Sequence, residues 1–242
     1  MRAAVITDIH GNAHALEAVL ADVDGSAPDA IWCLGDLVGY GPRPNDCVRT
    51  VRERADVCLV GNHDLGVLGR LDLGDFTPDA AAAARWTAER LEPELRAFLE
   101  SLEPAAWLER AQLFHASARD PVWEYVLSED AAWASLQATT AGVVLVGHSH
   151  VPLALLLEDG GVAGGLAPGG AEVELAAGRW LLNPGSVGQP RDGDPRGAWL
   201  LLDFDAGRAE WRRVEYDTAA TQAEIRAAGL PEALAGRLAA GV

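Results

Sequence analysis

The 242-residue sequence lacks the features of several specialised classes of protein. No apolar run approaches the roughly 20 residues that cross a bilayer, so we expect no membrane-spanning segment and no membrane partner. The start, in which an apolar strand pattern follows Met1 and Arg2 directly, lacks the longer apolar core and the cleavage site of a signal peptide. We therefore expect a cytoplasmic protein.

Cysteine is scarce and odd in number. Only Cys33, Cys47 and Cys58 occur, and no two of them have the close spacing of a thiolate metal site. Cys33 and Cys58 fall within apolar strand patterns, so we expect reduced thiols, with these two in the core.

Positive charge is also scarce, because 19 basic residues stand against 36 acidic ones and the net charge is −17. Proteins that bind nucleic acid broadly usually carry a basic face, so this balance argues against nucleic acid as a partner. Solubility alone explains most of the acidity. An anionic substrate would need a local positive field, which bound divalent cations could supply.

The first half of the chain alternates between two patterns. Apolar strand patterns at residues 3–6, 30–34 and 56–60 are separated by helical spacing at 13–23 and 46–54, which predicts a parallel sheet packed by helices. A long helical stretch follows Thr77 and should break at Pro93. Further patterns predict strands at 112–114 and 143–146 and a helix at 129–138.

The second half is richer in strand patterns, which occur at 153–157, 171–175, 180–182, 198–204 and 210–216. We expect these to add a largely antiparallel sheet, followed by two short helices at 218–240 that are split before Pro231. The stretch 159–170 holds six glycines and one proline, and no helix start follows it, so it predicts a flexible surface connection rather than a phosphate-binding loop. No linker divides the chain, and we expect one domain over residues 1–242.

Polar residues follow five of the predicted strands, at the edge where sites lie in parallel sheets. They are Asp8 with His10, Asp36, Asn62 with His63, His115, and His148 with His150. A single histidine at a strand end is usually structural, but five of the six histidines fall in these groups. His14, the exception, falls on a helix and is predicted to be a surface or packing residue.

These side chains offer nitrogen and oxygen but no sulfur, a set that suits manganese, iron, cobalt, nickel or zinc better than magnesium or calcium. The candidates are too many for one metal, whereas two metals that share a carboxylate would use them all. Metals ~3.5–4 Å apart suit in-line displacement at phosphorus, because they lower the pKa of a bridging water and clamp the phosphoryl oxygens.

The same residues carry a resemblance to a known family. Asp8-Ile9-His10, Gly35-Asp36, Gly61-Asn62-His63-Asp64, His115 and Gly147-His148-Ser149-His150 resemble the calcineurin-like metallophosphoesterases in order and spacing. The resemblance covers about residues 1–217. The run 183–191 is similar to the small prokaryotic branch of phosphodiesterases and diadenosine tetraphosphatase-like proteins.

The resemblance implies an α/β fold of four layers, α/β/β/α, in which two mixed sheets pack face to face with helices outside. It implies two divalent metal ions, manganese first, with iron, nickel, cobalt or zinc as alternatives. Asp8, His10 and His150 would bind one metal, Asn62, His115 and His148 would bind the other, and Asp36 would bridge them. His63 would contact a phosphate oxygen and protonate the leaving group.

The expected activity is hydrolysis of a small-molecule phosphate ester, a phosphodiester or a nucleotide polyphosphate, by in-line attack of a metal-bridging hydroxide. Two alternatives stay open. One is a non-catalytic scaffold or interaction subunit on the same fold, like the retromer subunit that has a degraded site. The other is a phosphomonoesterase or protein phosphatase. The sequence also leaves a homo-oligomer open.

The sequence departs from its relatives in two places. Protein phosphatases of the superfamily read Gly-Asp-x-x-Asp-Arg-Gly where this chain has residues 35–41, so the acid that orients the catalytic histidine and a phosphate-binding arginine are both missing. This argues against phosphoprotein substrates and leaves the support of His63 open, with Asp64 the adjacent carboxylate. In addition, Ala116 follows His115 where small relatives have glycine, which predicts a slightly altered site wall.

Candidate substrate contacts are Asn12, which the resemblance places near the substrate phosphate, and the loop arginines Arg119 and Arg191. Arg196 lies in the same Gly-, Pro- and Asp-rich run as Arg191. The alternative for each arginine is a solvated surface position. Trp123 and Tyr125 could stack on a base or simply anchor their own loop.

Overall fold

The computed structural model describes residues 1–242 as two six-stranded sheets with helices on the outer faces. The strands are β1 (Arg2–Ile6), β2 (Ala30–Cys33), β3 (Val57–Cys58), β4 (Ala105–Trp107), β5 (Gln112–Phe114), β6 (Val143–Leu145), β7 (Leu153–Glu158), β8 (Gly161–Leu166), β9 (Glu172–Glu174), β10 (Trp180–Asn183), β11 (Gly197–Asp203) and β12 (Arg208–Val214). The helices are α1 (Ala13–Ser26), α2 (Pro44–Arg54), α3 (Asn62–Val67), α4 (Pro78–Ala88), α5 (Pro93–Glu100), α6 (Glu129–Gln137), α7 (Thr218–Ala227) and α8 (Glu232–Gly236).

Each sheet has a parallel centre extended by antiparallel strands. The first sheet runs β3-β2-β1-β11-β12-β9, with β1, β2 and β3 parallel and β11 antiparallel to β1. The second runs β4-β5-β6-β10-β7-β8, with β5, β6 and β10 parallel. The parallel arrangement of the first three strands is therefore confirmed. The expected separate antiparallel sheet is wrong, because the later strands are divided between the two sheets, where β10 is parallel to β6 and the others pair antiparallel.

Strand β1 shows how the four layers arise from alternating side chains. Ala3 and Val5 pack in the cluster between the two sheets, whereas Ala4 and Ile6 pack against helices on the outer face. A strand that is buried on both faces reads as a continuous apolar run, as β1 does. A third apolar cluster places α6 on the outer face of the second sheet. The predicted α/β/β/α sandwich is confirmed.

Half of the glycine-rich stretch 159–170 is a strand and not a flexible connection. Residues 161–166 form β8, which pairs antiparallel with β7 at the edge of the second sheet. At Gly164 the backbone has φ +118°, and a Cβ would lie 2.1 Å from the carbonyl oxygen of Ala154. Gly164 therefore allows the close pairing of β8 with β7. The prediction of a flexible connection is wrong for residues 161–166, because frequent glycine usually indicates a turn or a loop.

The predicted helix boundaries agree with the local capping chemistry. Helices α4 and α5 each begin at a proline, and the predicted break at Pro93 is confirmed. The two predicted C-terminal helices are also present, as α7 and α8. The sequence reasoning missed the short elements β4 and α3. None of the helices combines the length and the apolar character needed to cross a bilayer.

All three cysteines are free thiols. Cys33 and Cys47 are buried, whereas Cys58, which pairs in register with Cys33 across β2 and β3, is half-buried. The prediction of a core position holds for Cys33 and is only partly met for Cys58, because β3 is at the edge of its sheet.

Candidate metal centre

The predicted site residues lie just after the carboxyl ends of β1, β2, β3, β5 and β6, with Asn62 and His63 at the start of α3. They are Asp8, His10, Asp36, Asn62, His63, His115, His148 and His150, and none of them is more than 5% exposed. Eight polar residues buried this deeply need internal partners or a bound ion.

The acids and histidines form two groups that share one carboxylate. Asp8, His10, Asp36 and His150 make up the first group, and Asp36, His115 and His148 the second, with the candidate ligand atoms of each group within 4.8 Å of one another. Asn62 joins the second group, because its Oδ1 lies 3.2 Å from His115 Nε2. The structure thus brings together every residue that the sequence proposed as a metal ligand.

Two carboxylate oxygens in these groups are buried without a hydrogen-bond partner, namely Asp8 Oδ1 and Asp36 Oδ2. Asp8 Oδ1 lies 3.3 Å from His150 Nε2, and Asp36 Oδ2 lies 3.6 Å from Nε2 of both His10 and His115. The other oxygen of each acid is engaged: Asp8 Oδ2 accepts from the backbone N–H of His148, and Asp36 Oδ1 accepts from that of His63. Divalent cations between these oxygens and imidazoles would satisfy them, so the residues present fit a metal centre.

The backbone fixes the tautomer of each imidazole in the two groups. Nδ1 of His10, His115 and His150 lies 3.1, 2.9 and 2.6 Å from the carbonyl oxygens of Val38, Leu34 and Gln189. A proton on Nδ1 leaves Nε2 free, and Nε2 is the atom that faces the cluster. His148 is reversed, since its Nε2 lies 3.2 Å from the carbonyl oxygen of Trp123 and Nδ1 is the nitrogen left free.

Burial sets the protonation of the cluster. Desolvation lowers the pKa of His10, His115 and His150 below its usual range and lowers that of His148 to about 3. These imidazoles are therefore neutral near pH 7, which is the form that binds metals. Burial, followed by the charges of Asp64 and Asp8, raises the pKa of Asp36 well above its usual value. A cation would relieve the repulsion between these carboxylates.

Backbone strain is concentrated in the same place. Seven non-glycine residues have positive φ, and five of them belong to the cluster: Asp8, His10, Asp36, His148 and His150, with φ between 52° and 63°. Left-handed backbone at non-glycine residues persists where the surrounding structure enforces it, and it is common at functional sites. In these five residues the chain turns sharply just after a strand ends, and this turn directs the side chain toward the cluster.

The loop that follows β10 contacts both the loop after β1 and the loop after β6. Sequence reasoning proposed a role for Arg191 in this loop but none for Ser186, Gly188 or Gln189. Ser186 Oγ and the backbone N–H of Gly188 donate to the carbonyl of Asp8 (2.7 and 3.0 Å), while the carbonyl of Gln189 accepts from His150. A Cβ at Gly188 would lie 1.8 Å from the carbonyl oxygen of Ile9, so only glycine allows this approach. The Asn-Pro-Gly-Ser run that resembles relatives was the available signal.

His63 lies beside the metal-binding groups on an aromatic wall. Its ring centroid lies 4.4 Å from that of Tyr40, 4.8 Å from His10 and 5.3 Å from Phe76. Its Nδ1 is buried and has no hydrogen-bond partner. A Cβ at Gly39 would lie 2.7 Å from that Nδ1, so the histidine packs directly on the glycine backbone.

The carboxylate of Asp64 does not orient His63. Its oxygens accept from the backbone N–H groups of Gly61 and Val38, each at 3.0 Å, and so tie α3 to the loop after β2. Burial raises the pKa of Asp64 to about 7. His63 is held instead by ring packing and by the hydrogen bond from its backbone N–H to Asp36 Oδ1.

The candidate substrate contacts have different surroundings. Asn12 caps α1, accepting from the Ala15 N–H and the Thr221 hydroxyl and donating to the carbonyl of Gly188, and it is 1% exposed. These bonds give it a structural role and do not support its predicted contact with substrate. Arg119 is exposed and forms a salt bridge with Glu124, so it braces its own loop.

Arg191 is half-buried beside Tyr40 and keeps its guanidinium near the cluster. Arg196, in contrast, forms an exposed salt bridge with Asp194.

The ring of Tyr125 stacks on that of His148, with centroids 4.1 Å apart and planes 8° apart, and Tyr125 is 47% exposed. Trp123 packs edge-on against Phe76.

His14 lies away from the centre. Its Nε2 lies 3.1 Å from Glu224 Oε1 and ties α1 to α7. The prediction of a surface or packing residue agrees with this position.

Two sheets that meet over a buried cluster of carboxylates and imidazoles define the protein as one built to hold metal ions. The sequence profile of the calcineurin-like phosphoesterase superfamily domain matches residues 1–207, and the chain belongs to this superfamily. A metallophosphoesterase from Sphaerobacter thermophilus has a similar crystal structure, with 44% identity, a TM-score of 0.92, and coverage of 100% of this chain and 99% of the other. The chain is a phosphoesterase, as the resemblance implied.

Two curated relatives add detail. An uncharacterized protein of Methanocaldococcus jannaschii is 37% identical over 247 residues, covering 97% of this chain and 96% of that protein. A symmetrical bis(5'-nucleosyl)-tetraphosphatase of Stutzerimonas stutzeri is 31% identical over 119 residues, covering 47% of this chain and 39% of that protein. The second match thus spans well under half of the tetraphosphatase.

Proposed function

We propose that the chain is a cytoplasmic, dinuclear-metal phosphoesterase that works best with manganese and hydrolyses phosphodiesters or nucleotide polyphosphates. The observation that carries this proposal is the division of the cluster into two groups that share Asp36, whose Oδ2 is buried without a hydrogen-bond partner. Asp8, His10 and His150 would hold one ion with Asp36, and Asn62, His115 and His148 would hold the other.

Two divalent cations would supply an activated water for in-line attack and would offset negative charge on the phosphoryl oxygens. The protein supplies neutral imidazoles with fixed tautomers, so the centre needs little rearrangement to bind them. Because the eight site residues are buried, a phosphate bound among them would also be shielded from bulk water.

His63 is proposed to act on the substrate and not on the metals. Burial and the neighbouring His150 and Arg191 lower its pKa, so the imidazole is neutral before substrate binds. In that form it can donate one hydrogen bond to a phosphate oxygen. Negative charge on the bound substrate would raise the pKa of His63, so that the imidazole can take up a proton from solvent and then give it to the leaving oxygen.

The substrate class rests on two observations. The partial match to a tetraphosphatase favours nucleotide polyphosphates among the small-molecule esters. Gly39, packed against His63, leaves no room for the acid that protein phosphatases place there, which argues against phosphoproteins. The intact set of proposed ligands argues against a non-catalytic scaffold.

A screen of purified protein tests this proposal. Bis(4-nitrophenyl) phosphate, diadenosine tetraphosphate, a 4-nitrophenyl monoester and a phosphopeptide would each be incubated with Mn²⁺, Co²⁺, Ni²⁺ or Fe²⁺. We expect turnover of the first two substrates, highest with Mn²⁺ and abolished by chelator. Turnover only of the monoester or the phosphopeptide would support the phosphatase alternative, and no turnover with any metal would support the scaffold.

A further inference from the structure

Tyr40 occupies a strained and buried position beside the metal centre. Its φ of 56° lies in the left-handed region, which bulky aromatic residues rarely adopt. Apart from Ala27, which ends α1, the other non-glycine residues with positive φ all belong to the metal-binding cluster. The Tyr40 ring also contacts the rings of both His63 and His10, with centroids 4.4 and 4.6 Å away. This placement points to a function for the tyrosine.

Arg191 reaches Tyr40 from a distant part of the chain. Its Nη2 lies 3.3 Å from Tyr40 Oη and 3.0 Å from Gln189 Oε1, and its buried Nε has no hydrogen-bond partner. Other arginines in this acidic chain, such as Arg119 and Arg213, pair with carboxylates. Arg191 is bonded only to neutral groups, so its positive charge is left for an anion that comes from outside.

The position of Arg191 is tied to the metal centre. Its backbone N–H donates to the carbonyl of His150 (3.3 Å), and the adjacent Gln189 carbonyl accepts from the His150 ring. Arg237 adds charge on the same side: burial and the nearby Arg191 lower the pKa of its guanidinium. A bound anion would offset the charges of these two guanidinium groups.

We propose that Tyr40 and Arg191 bind a phosphate group on the leaving group of the substrate, which makes nucleotide polyphosphates the preferred substrates. The inference rests on the proposed function, because His63 is taken to face the leaving group and Tyr40 contacts its ring. A simple aryl or alkyl leaving group would carry no charge for this pair to bind.

Tyr40 and Arg191 would assist cleavage of the bond between the attacked phosphorus and the oxygen that bridges it to the next phosphate. A water oxygen bonds to the attacked phosphorus, and the bond from that phosphorus to the bridging oxygen breaks. The electron pair stays on the departing phosphate, whose bridging oxygen takes the proton from His63, while Arg191 offsets the remaining charge and the Tyr40 hydroxyl donates a hydrogen bond. The proton lost by the water passes to solvent.

Kinetics on two substrates test the pair in the Mn²⁺-loaded enzyme. Replacing Arg191 by Gln removes a charge-assisted contact and should lower kcat/KM for diadenosine tetraphosphate by about 10- to 100-fold. Tyr40→Phe, which removes one hydroxyl, should lower it by about 2- to 10-fold. Both variants should lower turnover of bis(4-nitrophenyl) phosphate less than that of diadenosine tetraphosphate, because the aryl leaving group carries no phosphate for the pair to bind. The control is Arg208→Gln, which breaks an exposed salt bridge with Glu172 on the first sheet and should change neither.

Binding of pyrophosphate to the Mn²⁺-loaded protein, measured by calorimetry together with metal content, separates the possible outcomes. We expect Arg191→Gln to weaken pyrophosphate binding about 10-fold or more at unchanged metal content. If the original protein hydrolyses neither substrate, the proposed function fails, while pyrophosphate binding still tests the pair. Unchanged pyrophosphate binding, or an equal loss on both substrates with loss of metal, would overturn the inference. Should Arg191→Gln not fold, Tyr40→Phe provides the test.

Discussion

The carboxylate of Asp36 links the two functional parts of the centre, because its Oδ1 accepts a hydrogen bond from the backbone N–H of His63 at 2.8 Å. The other oxygen, Oδ2, is buried, unpaired and directed at the imidazoles of both metal-binding groups. One side chain thus both completes the proposed metal sites and positions the residue proposed to act on the substrate.

Asp36→Ala should therefore lose both metals, since the shared carboxylate completes each group. Metal content after dialysis, measured by inductively coupled plasma mass spectrometry, checks this. Asp159→Ala, in the exposed turn between β7 and β8, is the control and should keep the metals. Retention of one ion by the Asp36 variant would show that the carboxylate is not shared.

His63→Ala should retain metal and lower kcat by about 10²- to 10⁴-fold, the range expected for removal of a group that transfers a proton. The comparison is His14→Ala, which removes an imidazole bonded to Glu224 away from the centre and should leave kcat unchanged. If His63→Ala strips the metals, the residue is a ligand and its proposed role is wrong.

Gly39→Ala should impair catalysis by displacing His63. Its Cβ would lie 2.7 Å from His63 Nδ1, whereas a Cβ at Gly69 would meet nothing within 4 Å. Both glycines have positive φ, +86° and +76°, so each alanine should cost about 1–2 kcal/mol of stability. Only Gly39→Ala should also lower kcat at full metal content. Equal kcat in the two variants would mean that the position of His63 tolerates this contact.

The metal-free protein should become less stable as the pH falls below about 6.5. Burial lowers the pKa of His10, His63, His115, His148 and His150, so the unfolded chain takes up protons that the folded chain cannot. Each histidine contributes up to ~1.4 kcal/mol per pH unit. The raised pKa values of Asp36 and Asp64 act in the opposite direction, but two carboxyls are outnumbered by five imidazoles.

Urea unfolding of metal-free protein at pH 7.5 and pH 5 measures this effect. We expect a lower free energy of unfolding at pH 5. A free energy that is equal or higher at pH 5 would show that the imidazoles are protonated in the folded chain.

The ligand candidates could be found in the sequence because each follows a short apolar strand, and the carboxyl ends of parallel strands share one edge. The fold was predictable for the same reason, since β1 is apolar on both faces. In contrast, the contact between Tyr40 and Arg191 depends on how the loop after β10 crosses the site, which no local pattern encodes. Whether Asp64 orients His63 could not be predicted, because the answer depends on the direction of its side chain. Strand β8 was not predicted, because glycine usually indicates a turn.

The most direct test of the account is hydrolysis of bis(4-nitrophenyl) phosphate measured as a function of the Mn²⁺ bound per chain, with the ions counted in the same samples. The account predicts two ions per chain and a rate that rises as the second ion binds. A protein that reaches full activity with one ion, or that binds two ions and shows no turnover of either diester or polyphosphate, would contradict it.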